Sequence, residues 1–127
     1  MFELPEYVTL AGQINQTLVG KTISTGSLGN STAQDITFRA RLHPRHPISE
    51  LDAAQRKALY DAIGSTLHDM IAAGGRSDDV DLFGRPGGYV RAMDSKAVGR
   101  PCPVCATPIE KMQYLGGACS VCPKCQR

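Results

Sequence analysis

The chain contains no cysteine before position 102, and all five of its cysteines lie between Cys102 and Cys125. A secreted domain held by disulfides distributes its cysteines through the fold, so this clustering argues against that class. The chain also contains no run of about 18 consecutive apolar residues, and we therefore expect no transmembrane helix. Residues 1–6 contain two acids and no base, unlike a secretory signal. These absences predict an intracellular, cytoplasmic protein.

The chain also lacks a strong charge of either sign. Its 127 residues carry a formal net charge of +2, with 20% charged and 42% hydrophobic residues. These values are ordinary for a globular protein of one compact domain, or of a small domain with an appendage. Any argument for nucleic-acid binding must therefore rest on local clusters. The sequence contains neither a phosphate-binding loop of the Gly-x-x-x-x-Gly-Lys-Ser/Thr type nor a convincing Ser/His/Asp constellation.

Apolar spacing predicts a helix within residues 1–23 and a second helix from Asn30 to about Leu42. Residues 24–27 are small, polar and uncharged, which indicates a linker between these helices. Residues 43–47 contain two prolines, which remove backbone donors and restrict the residues before them. The second helix is therefore expected to end before this segment.

The strongest helical pattern lies between Asp52 and Gly74. Asp52 is a good N-cap, and Gln55, three residues later, completes a capping-box pattern. Apolar side chains then recur at helical spacing for several turns, and these are Leu59, Ala62, Ile63, Thr66, Leu67, Met70 and Ile71. Gly74 and Gly75 predict the end of this helix. Residues 76–101 have no clear periodicity and include a glycine-rich loop at 84–88.

Four of the cysteines form two Cys-x-x-Cys pairs, and sixteen residues lie between the two pairs. Two thiolates at i and i+3 fit one tight turn, and a hairpin that joins two such turns gives the tetrahedral sulfur site that zinc prefers. We predict one structural zinc ion with the ligands Cys102, Cys105, Cys122 and Cys125. Residues 115–117 would form the hairpin turn, and Cys119 is interpreted as a small hydrophobe. The ion and its thiolates together bring the net charge close to zero.

Several motifs follow one another along the chain in a specific order. They are Glu3-Leu4-Pro5-Glu6, Leu28-Gly29-Asn30, Phe38-Arg39-Ala40-Arg41-Leu42-His43-Pro44, Gly74-Gly75, the four cysteines and the closing Gln126-Arg127. In this order they resemble the formamidopyrimidine-DNA glycosylase and endonuclease VIII family of base-excision repair enzymes. Residues 1–23 are similar to the N-terminal segment and first helix of the family, and residues 28–127 are similar to its C-terminal half.

The resemblance implies a mainly α fold with a small zinc-bound β-hairpin. Residues 28–99 would form a helix–two-turn–helix DNA-binding domain, and residues 100–127 a four-cysteine zinc finger. Residues 24–27 would be a short linker at the position where the family has a central β-sandwich. The base pocket and one wall of the DNA cleft are therefore expected to be missing, and base removal needs a pocket for the flipped nucleotide.

The resemblance also implies a DNA-binding role for Asn30, whose counterpart in relatives begins a helix and binds the DNA backbone beside the lesion. A helix start offers unpaired N–H groups that suit a phosphate, and a plain helix cap is the alternative. Nearby arginines and those around the glycine-rich loop are further candidates for phosphate contact, with a solvated face as the alternative. These candidates are Arg39, Arg41, Arg45, Arg85 and Arg100.

The N-terminus departs from the family, whose enzymes use an N-terminal proline as an amine nucleophile. Position 2 is Phe2, so the free amine would be that of Met1. Glu3 matches the glutamate that relatives use for proton transfer, and a surface glutamate at a helix start is the alternative. Met1 and Glu3 are thus the candidate catalytic residues for abasic-site lyase chemistry. The predicted hairpin turn also lacks the arginine that relatives often insert at the lesion.

These features together predict a zinc-containing protein that binds duplex DNA, damaged or abasic, through phosphate contacts. Glycosylase or lyase activity stays open because the N-terminal proline and the central domain have no counterpart. Two alternatives also stay open: a non-catalytic DNA-binding accessory protein, and a zinc-stabilised protein-interaction remnant without DNA affinity. The sequence leaves the oligomeric state open, although apolar surface exposed by the missing sandwich would favour a dimer.

Overall fold

The structure is a computed structural model that describes residues 29–114 and 116–127. Helix α1 spans Asn30–Arg39, a short 3₁₀ helix spans Ile48–Glu50, and helix α2 spans Ala53–Ala72. Strands β1 (Glu110–Tyr114) and β2 (Gly117–Val121) follow as an antiparallel pair. The architecture is two α-helices with a small two-stranded sheet. The predicted helix within residues 1–23 and the predicted linker lie outside the described residues.

The chain divides into two compact units. Among the described residues, one unit contains residues 30–66 and 92–127, and the other contains residue 29 and residues 67–91. We call them the zinc-finger unit and the loop unit, and each is described by itself. No described helix is long and apolar enough to cross a membrane.

The two ends of helix α2 have the chemistry that the sequence predicts. At its start, the Asp52 backbone N–H donates to Gln55 Oε1 at 2.9 Å, and the Gln55 N–H donates to Asp52 Oδ1 at 2.7 Å. At its end, Gly74 and Gly75 have φ angles of 74° and 99°. The Gly75 N–H donates to Met70 O at 2.8 Å, which completes a Schellman-type stop. Both the capping box and the glycine stop are confirmed.

Helix α1 ends earlier than the apolar pattern suggests. Arg41 has a φ of 58°, which interrupts the helix after Arg39 although apolar residues continue to Leu42. The Leu42 N–H donates to Thr37 O at 2.9 Å, and the Arg41 N–H donates to Phe38 O at 3.0 Å. This is again a Schellman pattern, with an arginine at the position where glycine is usual.

Helix α1 contributes to both apolar clusters of the zinc-finger unit. One cluster contains Phe38 together with Met93, Ala97, Cys102, Ile109 and Cys122. The other contains Ile36, Ala40, Leu42, Leu51 and Ala62. Full burial of a side chain such as Phe38 stabilises the fold by about 1.5–3 kcal/mol relative to an exposed one. The helix therefore packs the cysteine module on one side and the start of α2 on the other.

The predicted apolar stripe of α2 is buried only along its middle. Ala62, Thr66 and Met70 are buried at i, i+4 spacing, while Leu59, Ile63 and Leu67 are half-buried. Ile71, which also belongs to the predicted stripe, is 41% exposed. The face that the described residues cover is thus narrower than the face that the sequence pattern indicates.

The loop unit folds back on itself immediately after α2. The Gly88 N–H donates to Ala73 O at 2.8 Å, and the Tyr89 N–H donates to Gly75 O at 3.0 Å. A Cβ atom added at Gly87 would lie 2.1 Å from the carbonyl oxygen of Gly75. This close backbone approach requires glycine at position 87, so the glycine-rich stretch serves a packing role.

Candidate metal centre and nucleic-acid interface

The four cysteines of the two Cys-x-x-Cys pairs converge on one centre. Their sulfur atoms all lie within 4.8 Å of one another. Cys102 and Cys125 sulfurs are 3.9 Å apart, and Cys105 and Cys122 sulfurs are 3.5 Å apart. A tetrahedron with metal–sulfur bonds of about 2.3 Å has sulfur–sulfur edges of about 3.8 Å. The donor set and its spacing therefore suit one tetrahedral metal ion.

Backbone N–H groups in the two knuckles point at the ligand sulfurs. The Val104 N–H lies 3.4 Å from Cys102 Sγ, and the Cys125 N–H lies 3.4 Å from Cys122 Sγ. Donors of this kind stabilise thiolates and orient them. Cys102 and Cys122 are buried, whereas Cys105 and Cys125 are half-buried.

Hydrogen bonds and burial shift the pKa values of the thiols at this centre. Hydrogen bonds with Thr107 lower the pKa of Cys105 to about 6, because they favour its thiolate. The bond with Cys105 raises the pKa of Cys125 to about 12, and burial raises the pKa of Cys122. Four thiolates repel one another at this distance, and a divalent cation among them would favour the deprotonated form of all four.

Gln126 connects the second knuckle to the residues after α1. It is only 2% exposed, its Oε1 accepts from the Cys122 N–H at 2.9 Å, and its Nε2 donates to Leu42 O at 3.0 Å. Both bonds are buried, so the loss of either would leave an unsatisfied backbone group. Gln126 therefore holds the cysteine module at a fixed position against α1.

The N-terminal turn of α1 is joined to strand β2 by two side-chain amides. Asn30 Nδ2 donates to Ala118 O at 3.3 Å, and Gln34 Nε2 donates to the same oxygen at 3.4 Å. Gln34 Oε1 accepts from the Ser120 N–H at 2.9 Å. The Cys119 thiol lies 3.5 Å from Asn30 Oδ1. The helix start and the hairpin are thereby held together as one surface.

The buried carboxylate of Asp35 fixes the segment at Ala92 and Met93 to helix α1. Asp35 is 1% exposed, and its two oxygens accept from the Ala92 and Met93 N–H groups at 3.1 and 2.9 Å. Ser120 Oγ donates to Asp94 O at 2.7 Å, which ties this segment to β2 as well. A buried carboxylate is tolerated only with such charge-assisted partners.

A cavity of about 420 Å³ opens beside Asn30, between α1 and the hairpin. Its lining includes Gln34, Thr37, Pro44, Tyr114 and Cys119. Arg45 adjoins it, since its Nη2 donates to Gln113 O at 2.8 Å and its guanidinium carbon lies 6.0 Å from the Tyr114 ring centre. We call this the Asn30 cavity.

Known proteins are similar to this chain over most of its length. The formamidopyrimidine-DNA glycosylase of Bordetella petrii is 36% identical over 104 residues, which are 79% of this chain and 38% of that protein. The chain belongs to the formamidopyrimidine-DNA glycosylase and endonuclease VIII family. It spans about two fifths of the length of the curated relatives it matches. No family model matches the chain.

Solved members of the formamidopyrimidine-DNA glycosylase family have the same fold in the matched region. The crystal structure of the Thermus thermophilus MutM (Fpg) protein matches with a TM-score of 0.74 and 31% identity, covering 80% of this chain and 40% of that one. The Lactococcus lactis enzyme, non-covalently bound to DNA with an AP site, matches with a TM-score of 0.68 and 24% identity. That match covers 80% of this chain and 37% of the Lactococcus protein.

The structure separates the candidate DNA-contacting arginines of this family member. Arg45 lies beside the Asn30 cavity, whereas Arg39 Nη1 donates to Ser65 Oγ on α2 at 3.4 Å. Arg41 lines a different cavity. Arg85 belongs to the loop unit, where its guanidinium pairs with Asp81 at 2.9 Å. Arg100 is exposed just before the first knuckle.

Three residues that organise this site escaped the sequence reasoning, namely Gln34, Asp35 and Gln126. Gln34 and Asp35 belong to a helix that contains mostly polar residues, so their residue types alone do not indicate that they are buried. The thiol of Cys119 is buried, and burial raises its pKa, which agrees with a neutral, unreactive side chain. The candidate catalytic residues Met1 and Glu3 lie outside the described residues.

Proposed function

We propose that this chain is a zinc-containing protein that binds duplex DNA through phosphate contacts at the start of α1 and at the hairpin. The observation that carries the proposal is the junction between Asn30, Gln34 and strand β2. It places a helix N-terminus and a β-hairpin on one surface. Membership of a DNA repair glycosylase family supports the assignment of that surface to DNA.

The start of α1 has the chemistry of a phosphate site. The first turn of an α-helix leaves backbone N–H groups without intrahelical partners, and the helix dipole favours an anion there. The Asn30 side chain has two amide hydrogens, and the bond to Ala118 O uses only one of them. Arg45 is exposed beside the same cavity and adds a positive charge.

The metal ion of the cysteine centre is proposed to be zinc, held by Cys102, Cys105, Cys122 and Cys125. A set of four sulfur donors with no open position is typical of structural zinc sites rather than catalytic ones. The ion would fix the two knuckles, and Gln126 transmits that fixed position to the end of α1. Zinc would therefore support DNA binding through the geometry of the hairpin.

A residual lyase activity is a second candidate, because Glu3 matches the proton-transfer glutamate of the family, although Phe2 stands where the family has its nucleophilic proline. Cleavage at an existing abasic site needs an amine and an acid near the sugar. The neutral amine of Met1 would condense with the aldehyde of the opened sugar and release water, while Glu3 would move protons. Base removal is not proposed, because the resemblance implies that residues 24–27 replace the central domain that would supply the base pocket.

The test uses the zinc-loaded protein, a labelled duplex with one abasic site, and the same duplex without the lesion. We expect the logarithm of the binding constant to fall linearly with log salt, with a slope of about −0.9 for each phosphate contacted. Asn30→Ala should weaken binding, whereas the control Ser49→Ala, an exposed polar residue of the 3₁₀ helix, should not. An intact duplex that stays unbound even at low salt would refute DNA binding and favour the protein-interaction alternative.

Borohydride reduction separates the two catalytic outcomes. A covalent adduct with the abasic duplex that is lost in Glu3→Gln would support the lyase hypothesis. Borohydride links the protein to the DNA only by reducing the imine between them. Salt-dependent binding without an adduct would support the non-catalytic accessory protein instead.

A further inference from the structure

A second cavity, about 570 Å³ in volume, lies at the other end of α1. It is bounded by the residues after α1, the start of α2 and the two cysteine knuckles. The lining residues that matter here are Arg41, Asp52, Gln55, Lys124 and Arg127. None of the lining residues is shared with the Asn30 cavity. We call this the basic cavity.

Three cations from two distant parts of the sequence meet at the basic cavity. Arg41 follows α1, Lys124 lies inside the second Cys-x-x-Cys pair, and Arg127 is the last residue of the sequence. All three are exposed. Among the described acids, none is paired with these three cations.

Backbone hydrogen bonds fix these cations relative to one another. The Arg127 N–H donates to Arg41 O at 3.2 Å, and the His43 N–H donates to Arg127 O at 3.1 Å. Gln126 Nε2 adds the bond to Leu42 O in between. The C-terminal residues and the segment after α1 are thus held side by side, which reduces the ordering cost of a ligand that contacts both.

The backbone of Arg41 gives independent support for a role of its side chain. Arg41 occupies the left-handed region, with φ at 58°, at the helix-end position where glycine is free of strain. Glycine would satisfy the same two backbone bonds without this cost. What the arginine adds at this position is its cation at the cavity.

Negative groups also line the cavity, but they already serve as a helix cap or as part of the metal centre. Asp52 is the cap of α2, since its Oδ1 accepts from the Gln55 N–H at 2.7 Å. The sulfurs of Cys105 and Cys125 belong to the metal centre and are only half-buried, so they reduce the positive potential at the floor. The exposed rim is cationic, and the positive end of α2 adds to it.

We propose that the basic cavity is a second phosphate-binding site, which takes a phosphate of the DNA backbone away from the Asn30 cavity. This inference rests on the proposed DNA binding. Helix α1 has 10 residues, and its length of about 15 Å equals the axial rise of about four base pairs. A duplex that reaches both ends of the helix would therefore be held at two points.

The test compares Arg41→Gly with the wild-type chain in a salt series on an undamaged duplex. Glycine relieves the left-handed strain, so the melting temperature should be unchanged or higher, and zinc content should stay at one ion per chain. The slope of log binding constant against log salt should become shallower by about 0.9. Adding Lys124→Gln and Arg127→Gln should remove about 0.9 for each further contact.

The matched control is Arg56→Ala, which removes one exposed arginine of α2 that does not line the cavity. An equal effect of Arg56→Ala, or an unchanged slope in Arg41→Gly, would overturn the inference while leaving DNA binding in place. Loss of zinc from Arg41→Gly would also overturn it, because the cations would then serve the metal centre. A wild-type chain without duplex affinity at about 50 mM salt would refute the proposed function itself.

Discussion

In the zinc-finger unit, several side chains bond to groups that lie 57 to 89 positions away in the sequence, as with Asp35 and Asn30. Among the described residues of the loop unit, the ion pairs join side chains that are closer in the sequence. Arg76 pairs with Asp79 three positions away, and Arg91 pairs with Asp78 thirteen positions away. The first unit is therefore assembled from distant segments, whereas these ion pairs of the second unit join residues that are close in the sequence.

This difference separates the arginines that are candidates for the proposed DNA contacts. In the loop unit, Arg85 and Arg91 pair with aspartates at 2.9 and 2.7 Å, so their charges are largely neutralised. In the zinc-finger unit, Arg41 and Arg45 are exposed beside cavities. A sequence-level count of basic residues treats all of these alike, although their surroundings separate them.

Removal of the metal should produce the largest difference in stability between the two units. Structural zinc contributes about 10 kcal/mol or more to the folding of small zinc modules. Chelation should therefore abolish the exchange protection of the Ser120 amide in β2, because the hairpin loses its anchor to α1. The amides of Ser77 and Tyr89 in the loop unit should keep theirs. Hydrogen exchange before and after chelation measures this, and equal loss in both units would contradict it.

Substitution of Asp35 should have the next largest effect. Asp35→Ala leaves the buried Met93 N–H and the Ala92 N–H without their acceptor, at a cost of about 2–4 kcal/mol. Asp35→Asn keeps one acceptor oxygen and should cost less. Urea unfolding of the two variants against the wild-type chain tests the ranking. A midpoint for Asp35→Ala equal to that of the wild type would mean that this contact does not hold the unit together.

Substitution of Asp81 should have the smallest effect, although this carboxylate also accepts several bonds. Its oxygens accept from the Phe83 and Arg85 N–H groups at 2.8 and 3.0 Å, and from Arg85 Nε at 3.0 Å. Because these partners are local and exposed, Asp81→Ala should cost only about 0.5–1.5 kcal/mol. Limited proteolysis within residues 77–89 should accelerate, while the urea midpoint should shift less than for Asp35→Ala. The reverse order would remove the contrast between the two units.

Sequence reasoning was most reliable where the chemistry is local. The capping box of Asp52 and Gln55 and the glycine stop at Gly74 were predicted because each motif satisfies its own backbone groups within a few residues. The convergence of the cysteines was predicted because two i, i+3 pairs have few other uses. The end of α1 was placed too late, because the apolar pattern continues to Leu42 through a left-handed arginine.

Residue types at fixed spacing are enough to indicate the family, the cysteine centre and the start and end of α2. The way α1 meets the hairpin, through Gln34 and Asp35, and the pairing of Arg85 and Arg91 with aspartates depend on the tertiary structure. Spacing carries no information about partners more than 50 positions away, and those partners depend on packing. The two cavities at opposite ends of α1 are lined by distant segments that hydrogen bonds, some of them buried, hold beside the helix.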